Sequence, residues 1–200
     1  MARLHGVLTT ALGAAPQIGC ITEHLRQGNK RTDTSGTAVG PQNIDVMFIG
    51  EGPGENEDLQ GEPFVGAAGQ FLDEMLSIIG LSRRNCYIAN IVKCRPPHNR
   101  DPKPAERECC RPWLNAQIAL LRPKIIVCLG RIAAMEFIDP ELRITREHGK
   151  WYEIDGTWRM AMFHPSALLR DPDKRPETFR DLKSLQKMVA QYCPNTVLED

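Results

Sequence analysis

The segment Val46-Met47-Phe48-Ile49-Gly50-Glu51-Gly52-Pro53-Gly54-Glu55-Asn56-Glu57-Asp58 decides how this chain is read. A β-branched and aromatic run stops at glycines and gives way to acids. That order predicts a buried strand, a tight turn and a loop exposing carboxylates. Open α/β sheets place their sites at such strand ends.

Working outward, the first strand falls at 45–49, after a Gly/Thr/Ser-rich run from Gln27 to Asn43 that reads as a loop. Residues 1–19 carry a weak amphipathic pattern broken by Gly13 and Pro16. Downstream, Phe71, Leu72, Met75, Leu76 and Ile79 share one helical face, and Gly80 stops that helix. A second strand at 87–92 carries Asn90, and strand, helix, strand in that order predicts a parallel pair with a crossover helix. The proline-rich stretch 93–102 is an ordered loop, and Pro104 opens a helix reaching Leu121. A third strand at 124–129 exits at Gly130-Arg131 into a helix at 132–138. Segments 151–154 and 159–163, joined by Asp155-Gly156, form a hairpin whose second arm is the fourth sheet strand. The last strand delivers His164-Pro165-Ser166-Ala167-Leu168-Leu169-Arg170 as a loop, and a helix at 177–192 closes the chain.

The expected fold is α/β: a single domain over 1–200 with a central, mainly parallel four-stranded sheet and helices on both faces. Residues 1–43 form an N-terminal segment and 44–192 the core. Two hundred residues, 42% of them hydrophobic, are enough for one core. No apolar stretch reaches membrane-spanning length and residues 1–19 lack a signal-peptide core, so a cytoplasmic, nucleoid-associated monomer is expected. Lysine plus arginine and aspartate plus glutamate balance at 25 each, so bulk charge neither favours nor excludes a polyanionic partner. Locally, Lys93, Arg95, Arg100 and Lys103, and again Arg170, Lys174 and Arg175, form cationic groups around the acids of 51–62. Seven cysteines make an odd count without an export signal, which argues against a disulfide framework. Cys86 and Cys128 lie in apolar runs and are expected to fill core.

Each special motif follows an apolar strand, so four segments converge on one crevice. The glycines at 50, 52 and 54 do not make a dinucleotide loop, because the third is at the wrong offset and the acids that follow would repel a pyrophosphate. Their backbone N–H groups suit a polar heterocycle or a water held by a carboxylate. Taken alone, the acids would be a solvated loop and His164 a buried imidazole. The sequence after His164 changes that balance: two leucines and an arginine have the composition of a wedge that enters a base stack while its cation meets a phosphate. Asn90 offers both a donor and an acceptor to a base edge, and Phe64 a stacking surface.

Three motifs carry a resemblance. Gly50-Glu51-Gly52-Pro53-Gly54 with Glu57-Asp58, Gly61 and Pro63-Phe64-Val65-Gly66 is the first. Tyr87-Ile88-Ala89-Asn90-Ile91-Val92-Lys93-Cys94-Arg95-Pro96-Pro97 with Asn99-Arg100 is the second, and His164 to Arg170 the third. In order and spacing they closely resemble the family 4 uracil-DNA glycosylases, the iron–sulfur-containing branch of that superfamily. The resemblance implies flipping of uracil from DNA and hydrolysis of its N-glycosidic bond, leaving an abasic site. It assigns uracil stacking to Phe64, edge reading to Asn90 with Gly52 and Gly54, and anion stabilisation to His164. Glu57 is expected to hold the water, with Glu51 and Asp58 as alternatives, and Asn99 reaches the same region. Arg131, Ser166, Leu168, Leu169 and Arg170 are the expected DNA contacts.

The resemblance also implies a [4Fe–4S] cluster. Cys94, Cys110 and Cys20 match three of its thiolates, while the fourth position falls on Glu23. Glu23, the adjacent His24, or Cys109 by a shift of register are the candidates for that fourth ligand, the alternative being a cluster whose fourth ligand is missing. Two other functions compete with this one. A module that traps uracil-DNA without turnover would carry an inserted basic loop after the second strand, and none is present. A redox sensor would carry a Cys-x2-Cys exchange motif, also absent. A sliding-clamp or polymerase contact has no sequence signal.

Overall fold

A computed structural model describes residues 38–40 and 44–199. The expectations for Cys20, Glu23 and His24 lie outside the described residues.

In chain order the elements are β1 (Ala38–Val39), β2 (Val46–Gly50), α1 (Glu55–Gln60), α2 (Ala67–Ser77), β3 (Tyr87–Asn90), a 3-10 turn at Pro97–Asn99, and α3 (Pro104–Leu121). There follow β4 (Ile125–Leu129), α4 (Arg131–Phe137), α5 (Ile144–Glu147), β5 (Trp151–Ile154), β6 (Thr157–Met162), α6 (Pro165–Arg170) and α7 (Arg175–Tyr192). One sheet of order β1-β3-β2-β4-β6-β5 holds the strands together.

The four expected strands are its parallel centre, but the sheet has six strands. The hairpin's first arm, β5, joins as an antiparallel edge beside β6. At the opposite edge β1 pairs antiparallel with β3, inside the run read as loop. Two residues are too few to show an alternating pattern, so nothing in the sequence marks β1.

Side chains alternate across the sheet as the two-residue period requires. Val46 and Phe48 of β2 pack with Leu72, Leu76, Leu182 and Leu185 of α2 and α7 on one face. Met47 and Ile49 pack with Cys110, Leu114 and Ile132 of α3 and α4 on the other. Both faces of the parallel strands are therefore covered, which explains their near-continuous apolar runs. Cys86 and Cys128 are fully buried, as expected of core filling.

Two segments expected to be loops are short helices. Residues 55–60 wind into α1 because Gly54 caps them and Glu57 returns its carboxylate to the Gly54 N–H, at 3.0 Å. Residues 165–170 form α6, with Pro165 at its first position and His164 as N-cap. Six residues do not show a 3.6-residue period clearly.

The chain leaves β2 to one side for β3, then crosses to the other side of β2 for β4. Strand order thus reverses between β2 and β4. A crevice opens at such a switch point, at the carboxyl ends of the strands.

Candidate active site

The register sets the exits level. Gly50 lies beside Asn90 in the β2/β3 pair, and Leu129 beside Met162 in the β4/β6 pair. The turn after β2, the loop after β3, the start of α4 and the start of α6 therefore line one cavity of about 690 Å³. Its walls include Gly52, Phe64, Asn90, Arg131 and His164.

Gly50, Phe64 and Asn90 meet in direct contact. A Cβ on Gly50 would stand 2.5 Å from Phe64 Cζ and 2.6 Å from Asn90 Oδ1, so only glycine admits both neighbours. Asn90 is 1% exposed, and its Oδ1 has no hydrogen-bond partner among the described residues. A buried acceptor of this kind is costly unless a ligand supplies a donor. Phe64 is also buried and holds φ at +56°, a left-handed conformation that bulky side chains rarely adopt. Its ring lies 5.9 Å from that of His164.

His164 has a defined tautomer. The Ser166 backbone N–H donates to Nδ1 at 3.2 Å, and the Ser166 hydroxyl lies 2.8 Å from the same nitrogen. An amide N–H can only donate, so Nδ1 is the acceptor and the proton of the neutral ring is on Nε2. Burial, reinforced by the Arg170 charge and opposed by Glu57, lowers the imidazole to about 4, so it is neutral at ordinary pH. Ser166 thus orients the imidazole, a role its place in the motif did not reveal.

The acids separate by environment. Glu57 accepts three backbone N–H groups, from Gly54 at 3.0 Å, Val65 at 2.9 Å and Gly66 at 2.8 Å. It staples the turn after β2 to the turn carrying Phe64 and also lines the cavity. Asp58 is not among the residues lining the cavity. Glu51 lines it, and burial first, then the Asp101 charge, raise its carboxyl to about 7, with Arg131 and Arg107 opposing. Asn99 reaches the rim, where its Oδ1 accepts from Arg95 Nε at 2.8 Å.

Other expectations are redrawn. Leu168 is 1% exposed and belongs to the core, so it is not half of an exposed pair. Leu169, 40% exposed, and the exposed Arg170 stand at the end of α6. Arg131 pairs with Asp101 at 2.6 Å across the mouth, and Arg100 makes a two-pronged contact with Glu106 at 2.8 and 2.6 Å. Lys93 is not part of a surface cationic group. It is buried, donating to the Asn90 carbonyl at 2.8 Å and to Gln117 Oε1 at 2.9 Å beneath the cavity. Such a buried lysine cannot be told from a surface one by its neighbours in sequence.

Of the cysteines expected at a cluster, Cys110 is buried in the apolar layer against which Cys94 packs, and Cys110 Sγ accepts the Lys93 backbone N–H at 3.3 Å. Cys110 Sγ, accepting an amide N–H, has the chemistry of a thiolate ligand held by a backbone hydrogen bond. Cys109, next to it, is exposed. No group of three or more metal-ligating side chains is assembled among the described residues. No described helix is long and apolar enough to cross a membrane.

The family model of the uracil DNA glycosylase superfamily matches residues 37–186. A type-4 uracil-DNA glycosylase of Archaeoglobus fulgidus is 45% identical over 164 residues, covering 78% of this chain and 82% of its own. One from Thermotoga maritima is 46% identical over 137 residues, covering 66% of this chain and 71% of its own. A type-5 uracil-DNA glycosylase of Pyrobaculum aerophilum is more distant, 32% identical over 146 residues and 64% of each chain. The match spans the sheet and every wall of the crevice, and on it the chain belongs to the uracil-DNA glycosylase superfamily.

Proposed function

We propose that this protein is a DNA-repair hydrolase that takes uracil from DNA into the crevice and cleaves its N-glycosidic bond, leaving an abasic site. The observation that carries the reading is the unpaired, buried Asn90 Oδ1 beside the Phe64 ring and the neutral His164. Uracil presents an N3–H donor to that oxygen and an acceptor to the amide nitrogen, with a flat face for Phe64. Cytosine has no hydrogen at N3 and leaves the oxygen unpaired.

Leaving-group stabilisation falls to His164, whose Nε2–H donates to the uracil O2 as electrons move onto the ring. Water attacks C1′ as the bond to N1 breaks, N1 keeps the electron pair, and the water's proton passes to the Glu51 carboxylate. The negative charge of Glu51 also favours the oxocarbenium-like sugar. Glu51 is preferred to Glu57 because the Glu57 oxygens already hold three N–H groups. Leu169 fills the vacated stack and Arg170 meets a phosphate, offsetting an unstacking cost of a few kcal/mol.

A [4Fe–4S] cluster on Cys20, Cys94 and Cys110, with Glu23, His24 or Cys109 as fourth ligand, is part of this proposal. Bound there, it ties the N-terminal segment to the loop after β3. The protein is expected to act as a cytoplasmic monomer on uracil-containing DNA.

Incubation with a uracil-containing oligonucleotide, followed by alkali, tests the activity. Strand cleavage at the uracil is expected, and intact strands at enzyme excess refute the proposal. A denaturation-resistant protein–DNA adduct without free uracil would instead identify a trapping module.

A further inference from the structure

Phe64 presents a physical problem that the crevice itself does not solve. An aromatic residue at φ +56° needs outside support to stay there. Support comes from two places beyond the crevice. Gly69, in the first turn of α2, lies so close to the Phe64 carbonyl that a Cβ would fall 1.8 Å from its oxygen. From the other side Arg83 donates through Nη1 to the Pro63 carbonyl at 2.9 Å, through Nη2 to the Phe64 carbonyl, and through Nε to Asp73 Oδ1 at 2.8 Å. One guanidinium thus grips two successive carbonyls, 19 and 20 residues away in sequence, while a carboxylate of α2 fixes its angle.

We propose that Arg83 is the positioning residue of the base-stacking platform, locked by Asp73 and holding Phe64 in the left-handed conformation that presses its ring against Gly50. The inference rests on the reading of Phe64 as the surface that stacks uracil. Planarity makes the guanidinium suited to this: its N–H groups diverge in one plane, whereas a lysine ammonium is a compact charge on a flexible stem. Arg83 is not a deeply buried ion. Its side chain is 27% exposed and that of Asp73 45%, so the pair itself adds little stability. The carbonyls it holds are what give it consequence. A second hollow of about 330 Å³, lined by Arg83 and Asp73 themselves with Ser82, Arg84 and Glu199, lies against the guanidinium.

The experiment uses the full chain as wild type, Arg83→Ala, Arg83→Lys and Phe64→Ala. Three quantities are read: the inhibition constant of free uracil during excision from a single-stranded oligonucleotide, the affinity for the same oligonucleotide carrying a tetrahydrofuran abasic analogue, and the melting temperature. Loosening the platform is expected to raise the uracil inhibition constant of Arg83→Ala about tenfold or more, since the left-handed conformation is disfavoured by roughly that factor without support. Abasic DNA, which lacks the base, should bind within about twofold of wild type, because a positional effect is confined to the group it aligns. Millimolar ethylguanidinium, entering through the second hollow, should restore uracil inhibition, and a loss of global stability would not respond to it. If Arg83→Ala does not fold, the same two constants for Arg83→Lys decide, with weakened uracil inhibition and unchanged abasic binding expected.

Equal losses for uracil and abasic DNA would overturn the proposal, as would undisturbed uracil inhibition in the arginine variants. In the latter case Phe64→Ala separates the two failures. If it loses uracil inhibition, the platform reading stands and only the clamp is wrong. If it does not, Phe64 is not the stacking surface and both fall.

Discussion

Replacing Glu51 by Gln is expected to abolish activity while making the protein harder to unfold above neutral pH. The Glu51 carboxyl is raised from an ordinary 4.5 to about 7, chiefly by burial and then by Asp101. A group titrating higher in the folded state favours folding fully below 4.5 and loses that contribution as pH rises through 7. At about 1.36 kcal/mol per pH unit the whole interval corresponds to about 3.4 kcal/mol. Glu51 is partly open to the crevice, and water screening reduces this to about 1–2 kcal/mol. For a domain of this size that is a rise in Tm of roughly 2–8 °C for the glutamine variant. Melting curves of both proteins at pH 4, 6 and 8.5 provide the assay. The difference should vanish at pH 4, open between 4.5 and 7 and level off beyond. Single-turnover excision should meanwhile fall by about a hundredfold or more. A variant that melts with wild type at pH 8.5, or below it, would show that Glu51 is not held as an unfavourable charge. A variant retaining full activity would remove it from the mechanism.

Three further outcomes are expected. The pH profile of kcat/KM should rise with an apparent pKa near 7 as Glu51 ionises, with protonation of His164 entering only near 4; a flat profile from pH 5 to 8 would contradict the assignment of Glu51. Leu168→Ala should cost about 2–5 kcal/mol in urea unfolding, whereas Leu169→Ala should leave stability within about 0.5 kcal/mol and slow excision from duplex more than from single-stranded DNA. Purified protein should carry iron and a broad visible absorbance, and Cys94→Ser should lower both; iron-free protein prepared without oxygen would remove the cluster from the proposal.

The parallel core was legible because its strands are buried on both faces and read as continuous apolar runs, each ending in a glycine, an asparagine or a histidine. Strand β1 was not, since a two-residue edge has no period. Helices α1 and α6 were hidden for the same reason, each stopping before its second turn repeats. At the site, the residue types at Gly50, Asn90 and His164 were readable because each stands at or just past a strand end, and Phe64 because it sits in the turn-rich stretch that follows the first. What could not be read was the direction of each side chain. Glu57 and Glu51 are both acids of one loop, and only the folded chain brings three amide hydrogens to one and Asp101 near the other. Leu168 and Leu169 are adjacent and chemically identical, yet α6 turns one into the core and the other to solvent. Arg83 lacked any signal, because its partners at 63 and 64 are near only after α2 has packed.

The Glu57 staple bears on how the crevice forms as the chain folds. All of its hydrogen bonds span nine residues or fewer, so little chain entropy opposes their closure. The opposite wall has no such advantage: Gly130 and His164 meet the turn after β2 only when β4 and β6 have docked, across separations of 76 residues and more. Long-range parallel pairing is the slow part of folding such domains. A refolding molecule therefore holds the base platform beside the glycine turn before it holds the imidazole opposite. On the roles proposed for Phe64 and His164, competence to receive a base precedes competence to release it, and a pulse of hydrogen exchange during refolding should protect Val65 and Gly66 ahead of the amides of β6.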